Sequence, residues 1–214
     1  MPDPIQRMVG LVLAIMTGPL LVALGLAVRL ETRGPALYRA DRMGRGGRTF
    51  KCLKVRTMRA GRPEAGPGVT VGSDARITRI GGLLRRFRLD ELPQLWNVAR
   101  GQMRLVGPRP EDPRFVDFSI PLHREVFTAT PGITGLTQLI YHDEARMLDD
   151  ATDPDAHYRE KILPGKLAID SAYLRNRSAR LDLWILAQTP RALLGREIRL
   201  PADVKATIEE PIDA

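Results

Sequence analysis

The chain has one cysteine, Cys52, and three histidines, His123, His142 and His157, in 214 residues. A single thiol excludes an internal disulfide, and histidines so scattered lack the close pairing of a zinc site. A reducing compartment fits. Aromatic residues make up only 5%, and no nucleic-acid-binding motif accompanies them, so no nucleic-acid partner is expected. The length suits one compact domain with an appended element and excludes two full domains. What is abundant is positive charge: 33 Lys and Arg against 25 Asp and Glu give a formal +8. The partner is therefore anionic, and charge alone does not choose among nucleic acid, an acidic membrane surface and a phosphorylated substrate.

Long apolar runs are absent except for one, Val9 to Val28, VGLVLAIMTGPLLVALGLAV, which holds no charge and only Thr17 as a polar side chain. As one straight helix it would measure roughly 30 Å, the thickness of a bilayer's hydrocarbon core. Gly18 and Pro19 interrupt it at the middle, where proline removes a helical hydrogen bond and predicts a sharp kink. Each half then reaches about 15 Å. Arg7 flanks one end, and Arg29, Arg33 and Arg39 the other, so the positive-inside rule does not separate the two faces. A cleaved signal peptide, a kinked spanning helix and a re-entrant hairpin all compete here, and the segment alone leaves the last two open.

Ordinary globular sequence follows from about Gly34. Two short strands, Ala36 to Asp41 and Thr49 to Val55, are expected around a turn at Gly44, Gly46 and Gly47, which is not a P-loop because no Gly-Lys-Ser/Thr follows. Arg59 to Asp74 is rich in Gly and Pro and reads as a mobile loop. Ile77, Ile80, Leu84 and Phe87 recur at helical spacing among arginines, predicting a basic amphipathic helix weakened by Gly81 and Gly82.

Then comes RRFRLDELPQLWNV, Arg85 to Val98, with adjacent carboxylates Asp90 and Glu91. Leu92, Leu95, Trp96 and Ala99 mark one buried helical face with Pro93 in its first turn, which makes Asp90 a natural N-cap. Against that bland role stand Arg85, Arg86 and Arg88 before the pair and Gly107-Pro108-Arg109-Pro110 after the helix. Carboxylates, arginines and a proline-stiffened loop are the parts expected around a metal-bound phosphate.

RLDELPQLWNVARGQMRLVGPRPE, with FKCLKVRTM upstream and PGITGLTQ downstream, resembles the bacterial sugar transferases, the monotopic phosphoglycosyl transferases that start glycoconjugate assembly on a polyprenyl phosphate. The apolar start is similar too, since that family carries a re-entrant membrane helix broken at a small residue followed by proline, here Gly18-Pro19. The resemblance implies transfer of a sugar 1-phosphate from a nucleotide diphosphate sugar, usually a UDP-sugar, to the polyprenyl phosphate, with undecaprenyl phosphate the expected acceptor. It assigns Asp90 as the nucleophile and Glu91 as a Mg²⁺ ligand. Arg109 and Arg85 are the candidate phosphate contacts; Lys54 and Arg56 join the same anion site or lie on a solvated strand face. The signature Lys-Arg-x-x-Asp is reduced here to Gln6-Arg7-Met8-Val9-Gly10, and Ala40, Arg88 and Gly101-Gln102-Met103-Arg104 stand where the family usually has Gln, Ser and Gly-Asp-Met-Ser.

The expected fold is α+β: a re-entrant helix over residues 1–33, a catalytic domain over 34–200 with a short β-hairpin and amphipathic interfacial helices, and a polar tail over 201–214. Trp184, Leu181, Ile185 and Gln188 fit either an interfacial stripe or a core face. Bacterial inner-membrane lipids are the implied surroundings, with the catalytic domain on the cytoplasmic face.

Overall fold

The computed structural model describes residues 3–59, 69–72, 74–141, 144–196, 198, 200–202 and 204–205. The apolar start forms two helices, α1 (Asp3–Met16) and α2 (Gly18–Glu31), bent by 55° at Thr17. Pro19 lies in the first turn of α2, where its missing N–H costs nothing, and the Thr17 hydroxyl donates to the Leu13 carbonyl across the bend (2.7 Å). No single helix is long and apolar enough to cross a membrane, while the bent pair passes by length and composition.

Each half of the pair seats one face on the rest of the chain. Gln6, Gly10 and Ala14, four apart, are the buried face of α1. A Cβ on Gly10 would lie 2.7 Å from Val98 Cγ1, so only glycine permits this approach. Gln6 Oε1 accepts from the Leu105 amide at 3.0 Å. From α2, Val28 packs with Val55 and Leu84, and Leu21 and Leu24 join them.

The hairpin forms as expected, with β1 (Leu37–Met43) antiparallel to β2 (Thr49–Val55) and Ala40 opposite Cys52. The basic amphipathic helix is α3 (Arg79–Arg86), capped by Thr78, whose hydroxyl accepts from the Gly81 amide. Gly81 is required there, because a Cβ would fall 2.0 Å from the Thr57 carbonyl oxygen. Glu31, at the end of α2, accepts from the Arg79 and Ile80 amides at 2.7 and 3.1 Å, tying the N-terminal pair to the start of α3.

Beyond α3 the chain runs through a 3₁₀ turn, Leu89–Glu91, into the short helix α4 (Gln94–Ala99). This corrects two expectations. Asp90 is no N-cap: it lies inside the turn, and α4 starts after Pro93 without a side-chain cap. On α4 the inward residues are Gln94, Leu95, Asn97 and Val98, so Leu95 is buried as expected while Trp96 is 37% exposed.

A second sheet pairs β3 (Arg104–Val106) in parallel with β4 (Gly132–Thr134) across α5 (Pro121–Phe127). Short helices α6 (Leu136–Ile140), α7 (Glu144–Met147) and α8 (Pro154–His157) lead through a wide turn at Tyr158–Ile162 to α9 (Leu163–Arg175) and α10 (Ala179–Leu193). Leu181 and Ile185 of α10 belong to the main core, so the stripe left open between interface and interior is core on that side. The fold is thus mixed helix with two small sheets. Of the Gly- and Pro-rich loop, 60–68 and 73 lie outside the described residues, as do 206–214 of the tail; Val204 is fully buried in the main core.

Candidate active site

Asp90 and Glu91 are each only 6% exposed, and two devices fix them. The first is Arg88, whose φ of 50° is the one positive value outside glycine among the described residues. This left-handed conformation, which costs an L-residue about 1–2 kcal/mol, reverses the chain after α3 and turns the pair inward. The second is Asn97, wholly buried on α4. Its Oδ1 accepts from the Leu53 amide at 3.0 Å, while Nδ2 donates to the Lys51 carbonyl at 2.9 Å and to Gln102 Oε1 at 2.8 Å. One side chain thereby satisfies the free edge of β2 and locks that strand, with Lys54 on it, against the helix that follows the carboxylates.

Glu91 is enclosed by cations. Oε1 pairs with Lys54 Nζ at 2.9 Å and Arg109 Nη2 at 3.5 Å, and Oε2 with Arg88 Nη1 at 3.6 Å. Burial opposes its ionisation, yet Lys54, Arg109 and Arg88 outweigh burial and hold the carboxyl far below its ordinary value. Asp90 is the opposite case. No described group donates a hydrogen bond to its carboxylate. Burial, with Glu91 alongside, pushes its pKa up, while Lys54, Arg85 and Arg88 pull the other way. Adjacent in sequence, one carboxylate is neutralised and immobilised, and the other keeps open lone pairs in a basic surround.

Of the remaining predicted residues, Arg85 lies beside the pair, its Nε donating to Thr57 Oγ1 at 2.8 Å. Burial lowers its pKa against the opposing pull of Asp90, Asp74 and Glu91. Arg56 is drawn elsewhere. Its two terminal nitrogens donate to the Arg33 and Thr32 carbonyls, both at 2.7 Å, closing off the end of α2. Gly18 and Pro19 form the helix break, outside this site.

Arg109 is held from behind by a buried polar network that no periodicity marked. Asp170 Oδ2 accepts from the Arg109 amide at 3.3 Å, and the Thr137 hydroxyl donates to Oδ1. Burial raises the Asp170 carboxyl to about 7, against those two bonds. Glu111, two residues past Arg109, accepts from the Tyr158 hydroxyl at 2.5 Å, and Lys166 bridges Glu111 and Glu144 at 3.4 and 2.9 Å. Lys166 and Asp170 stand four apart and so share a helical face. That spacing was legible, but it is equally ordinary on a solvated helix.

Two adjacent carboxylates fit the protein contribution to a Mg²⁺ site, since that ion takes one or two carboxylates and completes its shell with substrate phosphate and water. Asp90 has lone pairs to give. No cluster of three or more His, Cys, Asp or Glu with metal-binding geometry occurs among the described residues. The site as a whole suits an anion bearing more than one negative charge: three arginines and a lysine converge on two carboxylates.

Comparison with known proteins agrees with this chemistry. The chain is 41% identical over 187 residues to a UDP-glucose:undecaprenyl-phosphate glucose-1-phosphate transferase of Caulobacter vibrioides, covering 85% of this chain and 65% of that protein. It is 34% identical over 205 residues to a UDP-N-acetylgalactosamine-undecaprenyl-phosphate N-acetylgalactosaminephosphotransferase of Aeromonas hydrophila, covering 91% and 45%. A putative undecaprenyl-phosphate N-acetylgalactosaminyl 1-phosphate transferase of Bacillus subtilis is 39% identical over 144 residues, 67% of this chain and 73% of that one. The chain therefore spans less than two thirds of the length of the first two relatives. The family model for bacterial sugar transferases matches residues 3–196, and the chain belongs to that family.

Proposed function

We propose that this chain transfers a sugar 1-phosphate from a UDP-sugar to undecaprenyl phosphate, in two steps, through a covalent intermediate on Asp90. The relatives' names support the overall reaction. The observation that carries the residue-level reading is the contrast within the pair: Glu91 is clasped by Lys54, Arg109 and Arg88, and Asp90 is left without a hydrogen-bond donor among the described residues. In the first step an Asp90 oxygen attacks the phosphorus that bears the sugar. An O–P bond forms, the P–O bond to the nucleotide's own phosphate breaks, and UMP departs with the electron pair. In the second, a phosphate oxygen of undecaprenyl phosphate attacks the same phosphorus, the polyprenyl diphosphate sugar forms, and the Asp90 carboxylate is released.

Every participant is an anion, so neither step calls for a general base; the barrier lies in bringing negative charges together. Arg85, Arg88, Arg109 and Lys54 answer that need, and the planar guanidinium fork suits phosphate oxygens in pairs. Glu91 would hold Mg²⁺ by giving up one of its cation partners to the incoming phosphate, and the ion would add neutralisation of the diphosphate when bound. The test is a screen of UDP-sugars with undecaprenyl phosphate and Mg²⁺, reading UMP. With UDP-sugar alone, the protein is expected to release at most about one UMP per active site and to gain the mass of a sugar phosphate. Turnover that requires both substrates and leaves no adduct would replace this scheme with direct transfer.

In the same reading, residues 1–33 are a re-entrant membrane element and the domain after them lies on the cytoplasmic face of the inner membrane. Ile5, Met8, Leu11, Val12, Ile15, Met16, Leu20, Val22 and Leu26 expose apolar side chains along the bent pair, an outer surface suited to lipid. Both ends of the pair bond to one domain, Gln6 to Leu105 near the start and Glu31 to α3 at the finish, which supports the re-entrant reading. A cysteine placed at Asp3 is expected to resist an impermeant thiol reagent added to intact cells. Labelling from outside would establish a spanning segment instead.

A further inference from the structure

A cleft of about 690 Å³ lies away from the carboxylate pair. It lies at the opposite end of the hairpin, between the start of α1, the turn joining β1 to β2, and the residues leading into β3. Lys54 sits five residues along β2 from its first residue, Thr49, a span of about 17 Å, so the cleft and the pair are separate places. Four arginines line it, Arg7, Arg45, Arg48 and Arg104, against the single carboxylate of Asp3, which pairs with Arg104. Arg7 uses its Nε on the Ala99 carbonyl (3.2 Å). The guanidinium groups of Arg45 and Arg48, on the hairpin turn, have no hydrogen bond or ion pair among the described residues, though the Arg48 carbonyl accepts from the Gly44 amide at 2.9 Å.

A second hollow, about 440 Å³, shares Arg7 with the first. Met8, Leu11, Trp96 and Ala99 line it, with Arg100 as its other charge. It is a mostly apolar hollow on the lipid-suited face of α1, and Arg7 is common to it and the basic cleft. The depth is consistent with this arrangement: Arg7 is ten residues from the break at Thr17, about 15 Å along the helix, equal to one leaflet's share of the hydrocarbon core.

From the sharing of Arg7 between a basic cleft and a mostly apolar hollow, we propose that this region binds an acidic phospholipid, its phosphate among Arg7, Arg45 and Arg48 and one acyl chain along Met8, Leu11 and Trp96. The choice of a lipid over a soluble phosphate rests on the membrane reading above; the basic cleft itself does not. Guanidinium groups supply paired N–H donors to phosphate oxygens, and the hollow that shares Arg7 gives an acyl chain a place that a free phosphate would leave empty. Such a site would couple the pose of α1, through Gln6 that of β3 and through Gly10 that of α4, to the charge of the surrounding lipid.

The test titrates the detergent-solubilised full chain with dihexanoyl phosphatidylglycerol, dihexanoyl phosphatidylcholine and glycerol 3-phosphate, comparing wild type with Arg45→Gln/Arg48→Gln. The expected result is preferential binding of the phosphatidylglycerol, weakened about tenfold or more in the double variant, whose turnover in neutral detergent is unchanged. Equal binding of both lipids, or no effect of the substitutions, would overturn the proposal. Glycerol 3-phosphate binding as tightly as the phosphatidylglycerol would assign the cleft to a soluble phosphate and overturn the lipid. Labelling of a cysteine at Asp3 from outside, with lipid preference intact, would remove the re-entrant topology and leave the site standing.

Discussion

Asp90→Asn is expected to abolish turnover and adduct formation together, by about 10⁴-fold or more, while leaving the protein at least as stable as wild type. The amide keeps the shape of the side chain but offers phosphorus no anionic oxygen. The stability half follows from the sign of the pKa shift. The folded value of Asp90 lies above its ordinary 3.8, mainly through burial, so the stability it contributes is present below 3.8 and lost as pH rises through the folded value. At neutral pH the ionised carboxylate is a burden to the fold, and removing it should hold or raise the unfolding midpoint. Intact-protein mass spectrometry after exposure to UDP-sugar reads the first half and thermal unfolding the second. A variant that still acquires the sugar-phosphate mass would place the nucleophile elsewhere.

Glu91→Gln should behave in the opposite way in the same unfolding experiment. Three cations lose their counter-charge, turnover falls by about 10²–10³, and stability drops by about 1–3 kcal/mol. The folded pKa of Glu91 lies below its ordinary 4.5, so its contribution is fully present above 4.5 and is lost as pH falls through the depressed folded value. The stability gap between wild type and variant should therefore be full at pH 7 and narrow in acid. Raising Mg²⁺ should recover part of the activity of Glu91→Gln and none of that of Asp90→Asn. A Glu91→Gln protein as stable as wild type at pH 7 would mean that Lys54, Arg88 and Arg109 are balanced by solvent rather than by this carboxylate.

The local signals were sufficient for much of the architecture. Gly18-Pro19 marked the helix break because proline's missing donor is a purely local constraint, and the glycine cluster at 44–47 marked the hairpin turn for a similar reason. The run RRFRLDELPQLWNV identified the carboxylates and their arginines, since charge density and the proline are visible one residue at a time. The tertiary structure decided what each charge does. Nothing in the order Asp90-Glu91 says which carboxylate is enclosed: that depends on Lys54 arriving on β2, on Arg109 arriving from a loop anchored by Asp170, and on Asn97 holding strand to helix. Arg56, two residues from Lys54, looked equally suited to the anion site, and only the carbonyls of Thr32 and Arg33 waiting at the end of α2 drew it away. Spacing along a chain records which side chains share an element; the sign and strength of a buried charge interaction are set by distances between elements, which the folded core alone fixes.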